Sequence, residues 1–146
     1  MTARIEPFSA AHGRAALAFW KTCRGVGLGA GDTPSELAAF LRRNPGMSFV
    51  AMGDGRIVGT ILGGHDGRRG TLYHLAVDPA LRRRGLGRRL VDRSLRALRA
   101  AGIKRCYLFV LRDNDGGLAF WRRLGWRERT DLVTMSRPMT EPKRAT

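Results

Sequence analysis

One strand–loop–helix segment constrains the fold of this chain more than any other part of its sequence. The apolar run from Leu72 to Val77 predicts a strand, Asp78-Pro79 predicts a turn, and an Arg-x-x-Gly-x-Gly loop then leads directly into an amphipathic helix. Free backbone N–H groups and the helix dipole make such a helix start attractive to anions, and Gly85 and Gly87 leave room beside the backbone. The segment therefore predicts a pyrophosphate site, to which four arginines add cationic donors: Arg82, Arg83, Arg84 and Arg88.

This glycine loop is neither of two common nucleotide-binding motifs. No Gly-Lys-Ser/Thr follows, which excludes a Walker A loop, and the third glycine of the dinucleotide fingerprint is missing after Gly87. Upstream, residues 25–30 fit a loose G-x-G-x-x-A pattern, but they follow a helix-like segment rather than a strand. We therefore predict a mobile loop there, close to the substrate.

Two ordered segments of the chain carry a further pattern. The run Leu75-Ala76-Val77-x-Pro79-x-x-Arg82-x-x-Gly85-x-Gly87 is similar to the acetyl-CoA signature of the GNAT N-acetyltransferase family. Asn114 and the later run Ala119-Phe120-Trp121-Arg122-Arg123-Leu124-Gly125-Trp126 are similar to its Asn…Ala-x-Phe-Tyr-x-x-Leu-Gly-Phe segment. The resemblance covers residues 45 to 137 well and the N-terminal 45 residues loosely. It implies an acetyl-CoA-dependent N-acetyltransferase without a metal.

The resemblance also implies how acetyl-CoA is held. Backbone groups of the strand would pair with the pantetheine arm and polarise the thioester carbonyl, the loop would hold the pyrophosphate, Asn114 would bond to pantetheine, and two aromatic rings would flank the arm near its sulfur. The implied cofactor-binding residues are Leu75, Ala76, Val77, Arg82, Arg83, Arg84, Gly85, Leu86, Gly87, Arg88, Asn114, Phe120 and Trp121. Alternatively, Asn114 only caps a helix and Phe120 only packs in the core.

Trp121 departs from the family pattern. Many members place a tyrosine there, whose hydroxyl protonates the leaving CoA thiolate, whereas the indole N–H is a donor but no useful acid. Either the thiolate leaves unassisted, or the proton comes from Tyr73, Tyr107 or a water. The group that protonates the leaving thiolate is therefore left open.

A base is needed for an amine acceptor, because only the neutral amine attacks. His74, with a pKa range suited to proton transfer, and Tyr73 are the catalytic candidates. Strand alternation places Tyr73 and Leu75 on one face and His74 on the other, unless a bulge exchanges the faces. The alternative for His74 is a structural histidine against the neighbouring helix.

Local patterns predict ten elements in the order β-α-α-β-β-β-α-β-α-β, a mixed α/β fold. The helices are expected over 10–23, from Asp32-Thr33-Pro34 to about 43, from the glycine loop to Gly102, and over 115–124; the strands over 4–8, 48–52, 56–62, 71–77, 104–111 and 131–139. The resemblance implies a central, mostly antiparallel mixed sheet flanked by helices, with splayed central strands. We predict one domain over 1–140 and a flexible tail over 141–146.

Composition narrows the choice of function. The 146 residues suit one domain, and the lack of a run of 18 apolar residues or a signal-like start predicts a cytoplasmic protein with no membrane partner. Cys106 lies in a strand pattern and is expected to be a buried, inert thiol; the alternative is a covalent nucleophile. The net charge of +15 is spread along the chain, so we expect no nucleic-acid partner.

These observations predict an enzyme that transfers an acetyl group from acetyl-CoA to a primary amine of a small molecule, peptide or protein by direct attack in a ternary complex. The alternative is a module that binds CoA or nucleic acid without turnover. The identity of the acceptor and the formation of a homodimer stay open.

Overall fold

A computed structural model describes residues 2–140 of the chain. The strands are β1 (Arg4–Pro7), β2 (Phe49–Gly53), β3 (Arg56–His65), β4 (Gly70–Val77) and β5 (Cys106–Leu108). The helices are α1 (Gly13–Lys21), α2 (Pro34–Arg43), α3 (Leu86–Ala100) and α4 (Asp115–Arg123). Short 3₁₀ turns at Ala10–His12 and Pro79–Leu81 precede α1 and the glycine loop.

The strands form one sheet in the order β1-β2-β3-β4-β5. The first four are antiparallel neighbours and β5 lies parallel to β4, which confirms the mixed, mostly antiparallel sheet. The α3 side chains Leu90, Val91 and Leu98 are buried in one core cluster against the sheet, whereas Trp20 of α1 and Leu37 of α2 belong to a second cluster. The sheet is therefore a middle layer between helices.

Helix starts and turns follow the local sequence. The Thr33 hydroxyl accepts the Glu36 N–H at 3.2 Å, and the Glu36 carboxylate accepts the Thr33 N–H in return, a reciprocal cap that fixes the start of α2. Asp54 and Gly55 both adopt positive φ between β2 and β3, as the Asp-Gly hairpin signal predicts. Helix α1 is shorter than the predicted range 10–23. The first three residues of that range form a 3₁₀ turn instead, and the helix ends at Lys21.

The last two predicted strands differ most from the structure. β5 covers three residues instead of 104–111, because β4 pairs with it over Gly70–Leu72 only. The last strand, 131–139, is wrong: this segment has no strand, and Leu132, Val133, Met135 and Met139 are 57–97% exposed. Its residue types favour a strand, but a strand exists only where a neighbour satisfies its backbone. The predicted flexible tail, 141–146, lies outside the described residues.

Candidate active site

The sheet opens between β4 and β5. Their parallel pairing stops at Leu72 and Leu108, whereas the other edge of β4 stays paired with β3 as far as Val77. Among the described residues, no strand pairs with the β5-facing edge of residues 73–77. Such an edge can take an extended ligand as an added strand. The splayed strands implied by the family resemblance are therefore present.

The glycine loop reaches the start of α3 beside this opening. Gly85 is the N-cap of α3 with φ of +78°, and its carbonyl accepts the Arg89 N–H at 3.1 Å. The N–H groups of Leu86, Gly87 and Arg88 precede this first helical bond and remain available for an anion. A Cβ on Gly85 would meet no atom within 4 Å. The loop therefore presents an open, donor-lined hollow.

Asp78 fixes the chain just before the loop. Its carboxylate accepts the Ala80 N–H at 3.0 Å and pairs with Arg56 at 2.9 Å. The Ala80 N–H first, and then Arg56, keep the pKa of Asp78 below its usual value. Because this residue holds the turn that follows β4, the direction of the loop is set before α3 begins.

The two glycines of the motif have different surroundings. A Cβ at Gly87 would lie 3.3 Å from the Phe120 ring, so Gly87 allows α3 and α4 to pack closely. Only at Gly85 does the missing side chain open space toward solvent. The sequence suggested that both glycines make room for the phosphate, and the structure gives Gly87 a packing contact.

The loop arginines carry free positive charge. Their side chains, which are those of Arg82, Arg83, Arg84 and Arg88, are exposed. None of the ion pairs within residues 2–140 includes them. Their guanidinium groups are therefore available to a polyanion at the helix start.

Asn114 caps α4. Its side-chain oxygen accepts the Gly117 N–H at 3.0 Å, so the capping alternative holds. The residue also lies against the glycine-rich loop, since a Cβ on Gly25 would be 2.8 Å from Asn114 Nδ2. A contact of Asn114 with pantetheine stays a prediction.

Three aromatic rings pack against one another along α4 and just after it. The centroids of Phe120 and Trp121 lie 5.1 Å apart, and those of Trp121 and Trp126 lie 5.2 Å apart, both edge to face. All three rings are partly buried against the core cluster on the α3 side. Phe120 therefore has the packing role that was its alternative, while a contact with the pantetheine arm stays a prediction for both Phe120 and Trp121.

A bulge in β4 exchanges the faces predicted for its side chains. The β3–β4 register shifts between the Thr60 and Leu62 pairings, and His74, inside the shift, has φ of +50°. Tyr73 lies edge-on to Phe40 of α2, with centroids 6.1 Å apart, whereas Leu75 packs in the α3-side cluster. Tyr73 and Leu75 therefore lie on opposite faces, the outcome left open for a bulge, because the extra residue interrupts the alternation.

His74 lies on the side of α1 and α2. Its ring is 4.7 Å from that of Trp20, the neighbouring-helix contact of its structural alternative, and its Nε2 is 2.8 Å from an Asp32 oxygen. The buried Trp20 donates its indole N–H to the Thr60 hydroxyl, which donates to the His74 carbonyl; both distances are 2.8 Å. These bonds hold a left-handed backbone that costs a non-glycine residue about 1–2 kcal/mol.

Sequence reasoning missed Asp32 and Thr60 as parts of this site. Asp32 lies 42 positions from His74 in the chain, and its local sequence indicated only the start of a helix. The local sequence around Thr60 indicated only a strand. The segment 25–31 is an irregular loop, as predicted. It is tied down by carboxylates, since Asp32 accepts the Gly29 N–H at 2.8 Å and Glu36 accepts the Gly31 N–H at 3.2 Å.

Burial disfavours the thiolate form of both cysteines. Burial raises the pKa of the Cys106 thiol to about 11 and raises that of Cys23 as well. Because the thiolate is the reactive form, this favours the inert interpretation of Cys106 over a covalent route.

Two further properties concern the described residues alone. Within residues 2–140, no three His, Cys, Asp or Glu side chains are grouped so that they could hold a metal ion. No helix in that range is both long enough and apolar enough to cross a membrane.

Comparison with known proteins identifies the family. The sequence model of the Acetyltransferase (GNAT) family matches residues 14–126. The chain belongs to the GNAT acetyltransferases. Acetyltransferase ECA0875 of Pectobacterium atrosepticum is 33% identical over 112 residues, which are 77% of this chain and 79% of that protein. This GNAT protein is accordingly an N-acetyltransferase that uses acetyl-CoA.

Solved structures share the fold. Ard1 from Thermoplasma volcanium has a TM-score of 0.73 at 25% identity, with coverage of 86% of this chain and 82% of that chain. The PaiA N-acetyltransferase from Thermoplasma acidophilum, solved in complex with coenzyme A, has a TM-score of 0.68 at 16% identity, with coverage of 85% and 89%.

Proposed function

We propose that this GNAT protein acetylates a primary amine by direct attack on acetyl-CoA in a ternary complex. The observation that carries the proposal is the opening between β4 and β5, which ends at the donor-lined start of α3. An extended arm fits the open strand edge, and a pyrophosphate fits the free N–H groups and the arginines. Both halves of a CoA molecule would then meet complementary surfaces along the open β4 edge and the glycine loop, together called the groove.

Binding would use the residues of the β4 edge, the loop and the start of α4. Leu75, Ala76 and Val77 lie on the open edge and would pair with pantetheine. The residues of the loop would hold the pyrophosphate: Arg82, Arg83, Arg84, Gly85, Leu86, Gly87 and Arg88. Asn114, Phe120 and Trp121 would complete the groove from α4.

The reaction needs one proton removed and one supplied. The amine nitrogen forms a bond to the thioester carbon, the carbon–sulfur bond breaks, and the sulfur leaves with the electron pair as thiolate. His74 would take the proton of the amine; its side chain lies on the α1 and α2 side of the sheet, against Trp20. Tyr73, which is exposed, is the alternative donor or acceptor of protons.

The thiolate has no tyrosine at position 121 to protonate it. Trp121 packs between Phe120 and Trp126, an arrangement that suits a wall of the groove. A simple thiol has a pKa of about 8.5, so the thiolate can leave and take its proton from water. The rate would then come from positioning and from backbone polarisation of the carbonyl.

Calorimetry tests the proposal against a binding module. The protein is titrated with acetyl-CoA and with a short DNA duplex at about 0.15 M salt, and amines are then screened for release of free CoA thiol. We expect one-to-one acetyl-CoA binding and weak, salt-sensitive DNA binding. We expect turnover with an amine whose other groups are neutral or acidic, because the basic surface of the protein repels polycations. Acetyl-CoA binding without turnover by any amine class would favour the binding module, and no acetyl-CoA binding would refute the groove.

A homodimer is supported by the exposed C-terminal segment. Val133 and Met135 are 85% and 90% exposed, and β5 is the last strand of the sheet, so a second copy could cover both. Light scattering after gel filtration should show a dimer that Met135→Asp converts to monomer. Ser136→Asp, at an exposed neighbouring position, is the matched control and should stay dimeric. A monomeric native chain would contradict this proposal.

The extent of the domain and the location stay predictions. Limited proteolysis should leave a fragment of about residues 1–140, if that range is one domain. Fractionation of cells that express the protein tests the cytoplasmic location.

A further inference from the structure

The hydrogen bond between His74 and Asp32 fixes the tautomer of the histidine. An ionised carboxylate can only accept hydrogen bonds, so the 2.8 Å contact between His74 Nε2 and Asp32 Oδ1 places the proton on Nε2. In a neutral ring, the lone pair is then on Nδ1. Among residues 2–140, the hydrogen bond of the His74 ring is made through Nε2, and none uses Nδ1. The atom that can take a proton is therefore defined.

Asp32 is itself held in a fixed orientation. Its second oxygen accepts the Gly29 N–H at 2.8 Å, so each carboxylate oxygen faces a donor. Both side chains of the His74–Asp32 pair are only 14% exposed, which limits screening of the pair by water and salt. The pair also joins the glycine-rich loop to the bulge of β4.

The bulge is what makes this contact geometrically available. In an unbroken strand, His74 would face α3, as alternation predicts. The register shift turns it toward Trp20 and Asp32 instead, and the Thr60 hydroxyl holds its carbonyl. Strained backbone that is supported on several sides is typical of functional positions.

We propose that Asp32 is a positioning residue for catalysis, which keeps His74 in the Nε2–H tautomer so that Nδ1 accepts the proton of the attacking amine. This inference rests on the proposed N-acetyltransferase reaction. The proton passes from the amine nitrogen to Nδ1 as the nitrogen–carbon bond forms, and the resulting imidazolium is paired with the Asp32 carboxylate. The imidazolium then releases the proton to solvent, which regenerates the base.

Asp32→Asn is the informative substitution, because an amide has only one oxygen for two donors. If that oxygen keeps the Gly29 N–H, the amide NH₂ faces His74 Nε2 and favours the opposite tautomer. Asp66→Asn is the matched control, since Asp66 also accepts backbone N–H bonds, from Arg68 and Arg69, but in an exposed turn. Thermal melts of both variants check that each one folds.

The first readout is the tautomer and does not depend on activity. ¹⁵N NMR of the histidine ring at about pH 8.5, where an ordinary imidazole is neutral, should show His74 protonated at Nε2 in the native protein and in Asp66→Asn. Asp32→Asn should move the population toward the Nδ1–H form. An unchanged tautomer in Asp32→Asn, or a native protein already in the Nδ1–H form, would overturn the proposal.

The second readout is a double-mutant cycle on kcat. Loss of a general base lowers kcat by about 100-fold or more, so His74→Gln should lose at least that factor. Asp32→Asn alone should lower kcat at least about tenfold without changing the Kd for acetyl-CoA, and should add little to His74→Gln, because it acts through the histidine. An equal loss in both backgrounds would show that Asp32 only anchors the loop. No turnover by the native protein would instead refute the proposed reaction, and the NMR result would still decide the His74–Asp32 pairing.

Discussion

Gly85 offers the sharpest test of the anion hollow at the start of α3. It has φ of +78° and open space where a Cβ would be, and Gly46, in the turn after α2, has φ of +77° and the same open space. The two positions impose the same conformational cost on a side chain but only Gly85 adjoins the groove. Gly46 is therefore a matched control for Gly85.

Substitutions at Gly85 should affect both stability and CoA affinity. A non-glycine residue in the left-handed region costs about 1–2 kcal/mol, so alanine at either position should lower Tm by about 2–4 °C for each kcal/mol. A β-branched side chain at Gly85 would also block the N–H groups of Leu86, Gly87 and Arg88. Each hydrogen bond to a charged group is worth about 1.5–3 kcal/mol, so the loss of two of them should weaken CoA binding by about 100-fold or more.

Calorimetric titration with CoA, together with thermal melts, is the assay. We expect Gly85→Val and Gly46→Val to lose similar stability, whereas only Gly85→Val loses CoA affinity. Gly85→Ala should lie between the native protein and Gly85→Val. If Gly85→Val folds and binds CoA with native affinity, the loop does not hold the pyrophosphate, and CoA is not the ligand of the groove.

Three other substitutions test separate parts of the structure. Trp121→Tyr should raise kcat or leave it unchanged in CoA-release assays, if no acid acts at that position; a folded but inactive variant would show that the indole has a role of its own. Cys106→Ala should keep full activity, and Cys106 should resist alkylation at about pH 8 because a thiol with a pKa of about 11 is almost entirely protonated there; mass spectrometry and the same assay check both. Thr60→Val should lower the free energy of unfolding by about 1–3 kcal/mol in urea titrations, since it leaves the buried Trp20 N–H without an acceptor; native stability would mean that this bond is not needed.

The sequence alone predicted the elements whose signals are local. Apolar alternation, the Asp-Gly turn and the helix caps lie within a few residues of the backbone they control, so β2, β3, β4, α2, α3 and α4 lie close to their predicted positions. The strand, glycine loop and helix start follow one another directly, which is why the anion hollow could also be predicted. The identity of its ligand, acetyl-CoA, was inferred from the resemblance of two motifs, in their order along the chain, to one family.

Only the tertiary structure decided which residues meet around β4. The bulge at His74 depends on how β3 and β4 align, and the one inserted residue places His74 on the side of α1 and α2, the same side as its neighbour Tyr73. Asp32 reaches His74 through the packing of a loop that lies far away in the chain. Segment 131–139 has the residue types of a strand but no neighbour in the described chain, because pairing depends on distant backbone that local sequence does not encode.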